Sequence, residues 1–550
     1  MNLLENKAKI STALAFIGTL AHASIALADN VDRCAQLKDL SIQNGTVTET
    51  QYVGKGLSQQ DPNRMFTGAS STQFELPAHC LVRGEIDKRT GADGKEYKIR
   101  FEVRLPTPEH WQNRFIFQGG GGTDGFLANA LGTIPIHGST ALPALARGYA
   151  VTSMNGGHDG MDPTFGLDQK ARLDYAYAAI GKVTQAAKNI VKAYYDARPQ
   201  HSYFMGCSNG GREAMIAAQR YPTEFDGVIA SNPGFHLSRA AVAETWDTQT
   251  LYSIAPADNQ GRKVLANALT NNDLKLLTDA VLEKCDVRDG LKDGIVNDYI
   301  GCDFDPSDIQ CKNGDSSACL SSEKVTAIKA VFGGPKDSQG KPLYNSWPYD
   351  TGVSAPGWRM WKLGFSQDAT KPDAFNTVLG AGSLLFYFMT PPQPGFNPMM
   401  FDFDKDVDQV RETGSLNDAT MTMMNSYVSR GGKMLIIQGV SDPVFSADDI
   451  RDWYLKTEQN TSHGDNTAMR NWNRLFMIPG MNHCGDGPAL DDVDPLTAME
   501  KWVEKNQAPE FLAAKGKAFP DKHQPICVYP KIAKYQGNGD INSIDSYKCE

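Results

Sequence analysis

The chain has 550 residues, 41% of them hydrophobic and 21% charged, a balance that reads as globular rather than disordered or fibrous and is long enough for a large core with an inserted unit. Its formal net charge of −10 comes without any long run of Lys or Arg, which argues against nucleic acid as a partner. Beyond the first 28 residues no run of roughly 18 apolar residues occurs, which argues against a spanning helix there.

At the N-terminus Lys7 and Lys9 precede an apolar stretch, 10–25, that ends in Ala26-Leu27-Ala28, the small-x-small pattern of a signal-peptidase site. Residues 1–28 are therefore expected to be a bacterial-type signal peptide, with the mature protein secreted or periplasmic and free of the membrane. Ten cysteines fit an exported chain with a disulfide framework. Spacing makes 285–302, 311–319 and 527–549 plausible local pairs, but spacing alone does not fix connectivity. No CxxC occurs, so neither a zinc ribbon nor a thioredoxin-like site is indicated.

Residues 95–105 alternate apolar and polar side chains as a half-exposed strand does. The short apolar strand 115–117 runs through Gln118 into the glycine run 119–122, and 149–153 reads as another strand. Helical spacing over 172–197 precedes a strand at 202–205, a helix over 211–220 and a strand at 228–230. Strands alternating with helices imply a parallel sheet covered on both faces. The rhythm is lost from Asn232 to about 421, a loop-rich stretch with four cysteines and many aromatics. It resumes with strand 434–437, a helix near 447–455 and strand 475–478. The expectation is an α/β-hydrolase sheet domain in two parts, 29–234 and 422–550, with a large lid domain inserted at 235–421.

Gly206-Cys207-Ser208-Asn209-Gly210 matches G-x-S-x-G between a predicted strand and a predicted helix. A nucleophilic serine needs that tight turn, with small neighbours and helix amides directed at developing charge. In this fold the acid and then the base follow the nucleophile along the chain. Asp442, directly beyond strand 434–437, fits the acid; Asp448 and Asp449 fall within the following helix. His483, in the glycine-flanked loop after strand 475–478, fits the base, because the other histidines precede the nucleophile or lack a strand-end loop. Turn-forming Asp before Pro and structural His are the commoner uses of these residue types, so order and context carry the assignment. The oxyanion would be held by the amide of Asn209 and one from the glycine run, Gly122.

Cys207 adjoins Ser208 and Cys484 adjoins His483; a bond between them would tie nucleophile and base together. This arrangement, with the segments GCSNGGREAM, SDPVFSA, PGMNHC and the terminal GDIN…C, resembles the tannase and feruloyl esterase family, which includes mono(2-hydroxyethyl) terephthalate hydrolases. The resemblance covers essentially the mature chain. It implies the pairs Cys34–Cys80, Cys207–Cys484, Cys285–Cys302, Cys311–Cys319 and Cys527–Cys549. It also implies a structural calcium in the lid, held by Asp286, Asp289 and Asp293 with the carbonyls of Leu291 and Ile295, an all-oxygen set suited to a hard cation. Phe445 resembles a substrate-contacting position of the family, and Trp358, Trp361 and Phe386 are further candidate aromatic walls. Gly382 stands where terephthalate-monoester hydrolases carry an arginine, which favours neutral phenolic-acid esters, feruloyl or galloyl, as the small-molecule substrate. The alternatives are a terephthalate-monoester hydrolase, a serine peptidase, and an inactive binding protein on the same fold.

Overall fold

The computed structural model describes residues 27–312 and 318–550. The expected signal peptide, apart from Leu27 and Ala28, lies outside the described residues. Nine strands form one mixed sheet: β1 (Gly45–Val53), β2 (His79–Thr90), β3 (Glu96–Pro106), β4 (Arg114–Gln118), β5 (Tyr149–Met154), β6 (His201–Cys207), β7 (Gly227–Ser231), β8 (Lys433–Gly439) and β9 (Asn473–Ile478). Their spatial order is β1-β2-β3-β5-β4-β6-β7-β8-β9. The first three strands pair antiparallel and join β5 antiparallel, whereas β5-β4-β6-β7-β8-β9 run parallel.

In the parallel part successive residues feed two different cores, as strand pleating requires. Phe115 and Phe117 of β4, Phe204 of β6, Val228 and Ala230 of β7, and Met434 and Ile436 of β8 enter one layer. Ile116, Tyr203, Met205, Ile229, Leu435 and Ile437 enter the other. Both faces are therefore apolar, which is why these strands read as continuous apolar runs. The helices α1 (Ala179–Tyr195) and α2 (Asn209–Arg220) connect consecutive parallel strands on the first face. The sequence-based helix over 172–197 is a composite: a short α segment, a π turn over Asp174–Ala178, and then α1.

Between β7 and β8 the chain leaves the sheet for residues 232–432. The expectation of a loop-rich insertion is corrected by an 18-residue helix, α3 (Leu237–Ile254), followed by α4 (Asn271–Cys285), α5 (Ser322–Phe332) and α6 (Pro356–Lys362). Helix α3 is alanine-rich and packs on both sides, Ala240 and Ala243 into the sheet core and Ala241 and Val242 into a separate cluster. Helices buried on several sides lack a clean polar stripe, so their periodicity is hard to see. After β8 come α7 (Ala447–Ser462), β9, α8 (Pro495–Lys505) and an antiparallel ribbon of β10 (Phe511–Gly516) and β11 (Phe519–Cys527). All five disulfides join the pairs implied by the resemblance. Among the described residues no helix is long and apolar enough to cross a membrane.

Candidate active site

Strand β6 ends at Cys207 and α2 begins at Asn209, leaving Ser208 alone on the turn with φ 61° and ψ −125°, a backbone conformation that side chains rarely adopt. The turn is held from both sides: Ser208 N donates to Ser231 O at 3.1 Å, and Ser208 O accepts from Arg212 N and Gly234 N, each at 3.0 Å. It also demands the flanking glycines. A Cβ on Gly206 would stand 2.5 Å from the Gly210 carbonyl, and one on Gly210 would stand 2.6 Å from Gly120 O.

Asp442 follows β8 and is 1% exposed. Its Oδ1 accepts from the amides of Val444 (2.8 Å) and Phe445 (3.2 Å), and its Oδ2 from Asn232 Nδ2 (2.7 Å) and Gln438 Nε2 (3.4 Å). The remaining contact to Oδ2 is His483 Nδ1 at 2.9 Å. A proton held on Nδ1 by the carboxylate leaves Nε2 as the free, basic nitrogen. Neighbouring Asn482 braces the loop, donating to Gly352 O and Ser441 O and accepting from Trp358 N. The Cys207–Cys484 bond, with Cα atoms 5.9 Å apart, places the serine turn beside the histidine loop. Ser208 Oγ makes no hydrogen bond among the described residues, the situation of many catalytic hydroxyls before substrate arrives.

Gly122 and Asn209 line the same pocket as Ser208. As the first residue of α2, Asn209 has an amide without an intrahelical acceptor. Gly122 has φ 56° and its carbonyl accepts from Tyr175 Oη at 3.0 Å, which turns the peptide. Beneath them lies a buried network that the sequence reading did not single out, although Arg212 and Glu213 sit inside the GCSNGGREAM segment. Glu213 Oε2 accepts from Gly120 N (2.9 Å), Asp124 accepts from the Asn209 side-chain amide, and Arg212 Nε donates to Asn209 Oδ1 (2.7 Å). Burial pushes both carboxyls up; the Glu213 charge adds to the rise at Asp124, and Arg212 opposes it at both. The network therefore holds the glycine loop and the start of α2 in fixed relation.

The pocket walls come from the insertion, from the segment before α1 and from the turn after β8. Trp361 and Phe445 line it and flank His483 edge-on, with ring centroids 5.4 and 5.2 Å from the imidazole. Phe165, Tyr175, Leu237, Glu244, Gly380 and Tyr387 are among its other walls, and none of these was foreseen. Trp358, expected as a wall, is corrected: three residues before Trp361 on α6, it turns inward and packs in the core near Phe332. Phe386 is corrected too, because its neighbours Tyr387 and Phe388 take the lining positions instead. A second cavity, about 270 Å³, lies further along α3, beside Thr245, Thr248 and Tyr252, and is not lined by Ser208, Asp442 or His483.

The five residues expected to bind calcium share the loop after α4. Asp286 accepts from the amides of Asp293 (3.2 Å) and Gly294 (3.0 Å), and Asp289 accepts from Leu291 N (3.1 Å) and Asn297 Nδ2 (2.7 Å). Asp293 takes Lys522 Nζ at 2.5 Å and Gln524 Nε2 at 3.1 Å. Burial, with the Asp293 charge adding to it, raises the carboxyls of Asp286 and Asp289, the latter to about 6. Among the described residues no three His, Cys, Asp or Glu converge at metal-holding spacing. All five expected donors are oxygens, the kind a hard cation prefers, and Lys522 already supplies a positive charge at Asp293.

A family model described as tannase and feruloyl esterase matches residues 80–550. The chain is 38% identical over 531 residues to a mono(2-hydroxyethyl) terephthalate hydrolase of Piscinibacter sakaiensis, covering 88% of this chain and 86% of that one. It is 26% identical over 480 residues to a probable feruloyl esterase of Arthroderma benhamiae, covering 83% of each. Its fold matches the crystal structure of feruloyl esterase B from Aspergillus oryzae with TM-score 0.77 at 22% identity, covering 94% of this chain and 100% of that one.

Proposed function

Because this chain belongs to the tannase and feruloyl esterase family of carboxylic ester hydrolases, we propose that it cleaves esters of aromatic acids through an acyl-enzyme on Ser208. The carrying observation is the hydrogen-bonded relay from Asp442 to His483, disulfide-tied to the Ser208 turn and opening on an aromatic pocket. His483 Nε2 takes the Ser208 proton as Oγ attacks the ester carbonyl, and Asp442 stabilises the imidazolium. The negative oxygen of the tetrahedral intermediate is received by the amides of Gly122 and Asn209. His483 then gives its proton to the departing alcohol, and the reverse sequence with water frees the acid.

Turnover of methyl ferulate by the wild type and by Ser208→Ala tests this, with a loss of at least about 10⁴-fold in kcat expected; equal rates would remove Ser208 from the mechanism. The name of the 38% relative favours a second reading, terephthalate monoesters. Against it, the described pocket lining contains no Lys or Arg to meet a free carboxylate. Comparing kcat/KM for methyl ferulate, methyl gallate and the hydroxyethyl terephthalate monoester separates the readings.

The all-oxygen donor set supports assigning a structural calcium to Asp286, Asp289, Asp293 and the carbonyls of Leu291 and Ile295, where it would supply positive charge to carboxylates that burial disfavours. Chelation should lower Tm by several degrees and leave the initial rate at low temperature nearly unchanged. No shift in Tm would discard the assignment. Five disulfides also support export, because such bonds persist in oxidising compartments. N-terminal sequencing of the secreted or periplasmic protein should begin at Asp29, whereas an uncleaved cytoplasmic chain would contradict export.

A further inference from the structure

Most polar side chains facing the Ser208 pocket are already committed. Tyr175 Oη donates to Gly122 O, Tyr387 Oη to Asn417 Oδ1 at 3.1 Å, Thr123 Oγ1 to Met161 O, and the Asn209 side chain to Asp124. Besides Ser208, this leaves Ser383, the Trp361 indole and Glu244, whose side chains have no hydrogen-bond partner among the described residues. Of these, Glu244 is the unusual one. It is only 7% exposed, and buried carboxyls are normally paired.

Its position is built rather than incidental. Leu237, Ala241 and Glu244 line the pocket from one face of α3, at the i, i+4, i+7 spacing that stacks side chains on a helix. Across from it, a Cβ on Gly380 would stand 2.1 Å from Glu244 Oε2, so the carboxyl lies against a bare glycine that no larger residue could replace unshifted. The nearby cation does not claim it either, since Lys362 Nζ donates to Asp247. The result is a polar group held ready at the wall of an otherwise aromatic and aliphatic pocket.

The geometry points to Glu244 as the residue that reads the aromatic ring of the acid, accepting a hydroxyl substituent carried on that ring while the ester sits at Ser208. This assignment rests on the aromatic-ester reading above. Burial pushes the Glu244 carboxyl up to about 8, with the Lys362 charge opposing, so near neutrality it can also donate to a ring oxygen. A substrate carboxylate brought to the same place would meet Glu244 itself, with the nearby Lys362 already paired to Asp247.

The test is kcat/KM for two matched pairs, methyl p-coumarate against methyl cinnamate and methyl 4-hydroxybenzoate against methyl benzoate, which differ only by the hydroxyl. The wild type should prefer the hydroxylated ester in at least one pair by roughly 10- to 100-fold. Glu244→Leu should bring that ratio to within about threefold of one, and the isosteric Glu244→Gln, which guards against a folding defect, should lower it by at least about threefold. Wild-type turnover without preference in either pair overturns the Glu244 assignment alone, as does an unchanged ratio in either folded variant. No turnover of any of the four esters overturns the aromatic-ester reading itself.

Discussion

Two buried carboxyls serve one pocket from different regions of the molecule, and they are treated in opposite ways. Asp442, at the rim of the sheet, receives two backbone amides, two side-chain amides and the His483 imidazole. Glu244, in the insertion, receives no hydrogen bond from the described residues. The pairing of Asp442 with His483 is in place before any substrate arrives, as preorganised electrostatics requires. The insertion leaves a carboxyl facing the pocket without a protein partner among the described residues, so that recognition has something to complete. Chemistry and selectivity are thus assigned to parts of the chain with different degrees of internal closure.

The sharpest break of this contrast is Asp442→Asn, which keeps the packing and removes the charge that sets the histidine tautomer. It should lower kcat by about 10⁴-fold with little change in KM, and a loss below tenfold would mean the rim is not acting as a relay. Next is the covalent staple. Replacing Cys207 and Cys484 together by Ala should cost about 4 kcal/mol in urea unfolding, below a chain-entropy ceiling of about 5.6 kcal/mol for so long a loop.

On the insertion side, the Glu244 carboxyl is raised from 4.5 to about 8 by burial. Between those values the unfolded chain releases this proton and the folded one keeps it, so the residue subtracts stability as pH rises through that window. The stability of the wild type relative to Glu244→Gln should therefore fall from pH 4.5 to 8, by several kcal/mol at most, and level off above. A flat difference would show that the carboxyl is solvated. The smallest effect is expected from Trp361→Ala, a roughly tenfold rise in KM exceeding any fall in kcat. The reverse pattern would make Trp361 a support for His483 rather than a wall.

The rim was legible because each of its residues carries a local mark. Ser208 sits in a strand–turn–helix glycine pattern, and Asp442 and His483 each follow an apolar strand, in the order that the sheet's connectivity demands. The disulfide between their neighbours was announced by two cysteines placed beside catalytic-type residues. The pocket was not legible for the opposite reason. Glu244 and Gly380 lie 136 positions apart and have meaning only once α3 packs beside the 376–388 segment. Trp358 and Trp361 looked equivalent as letters, and only the rotation of a short helix separates a core residue from a wall. The strands β1 and β2 were likewise missed, because they form an antiparallel extension without the βα alternation that marked the rest.

The bond between Cys207 and Cys484 also gives the protein a clock. The nucleophile turn is made early, but its sulfur partner is 277 positions later, so at about 5–20 residues per second the ribosome needs on the order of half a minute to supply it. The intervening insertion, which carries the pocket walls, exists before the base does. Hydrolytic competence is therefore acquired late, and for about half of its manufacture a nascent molecule carries a serine that has nothing to activate it.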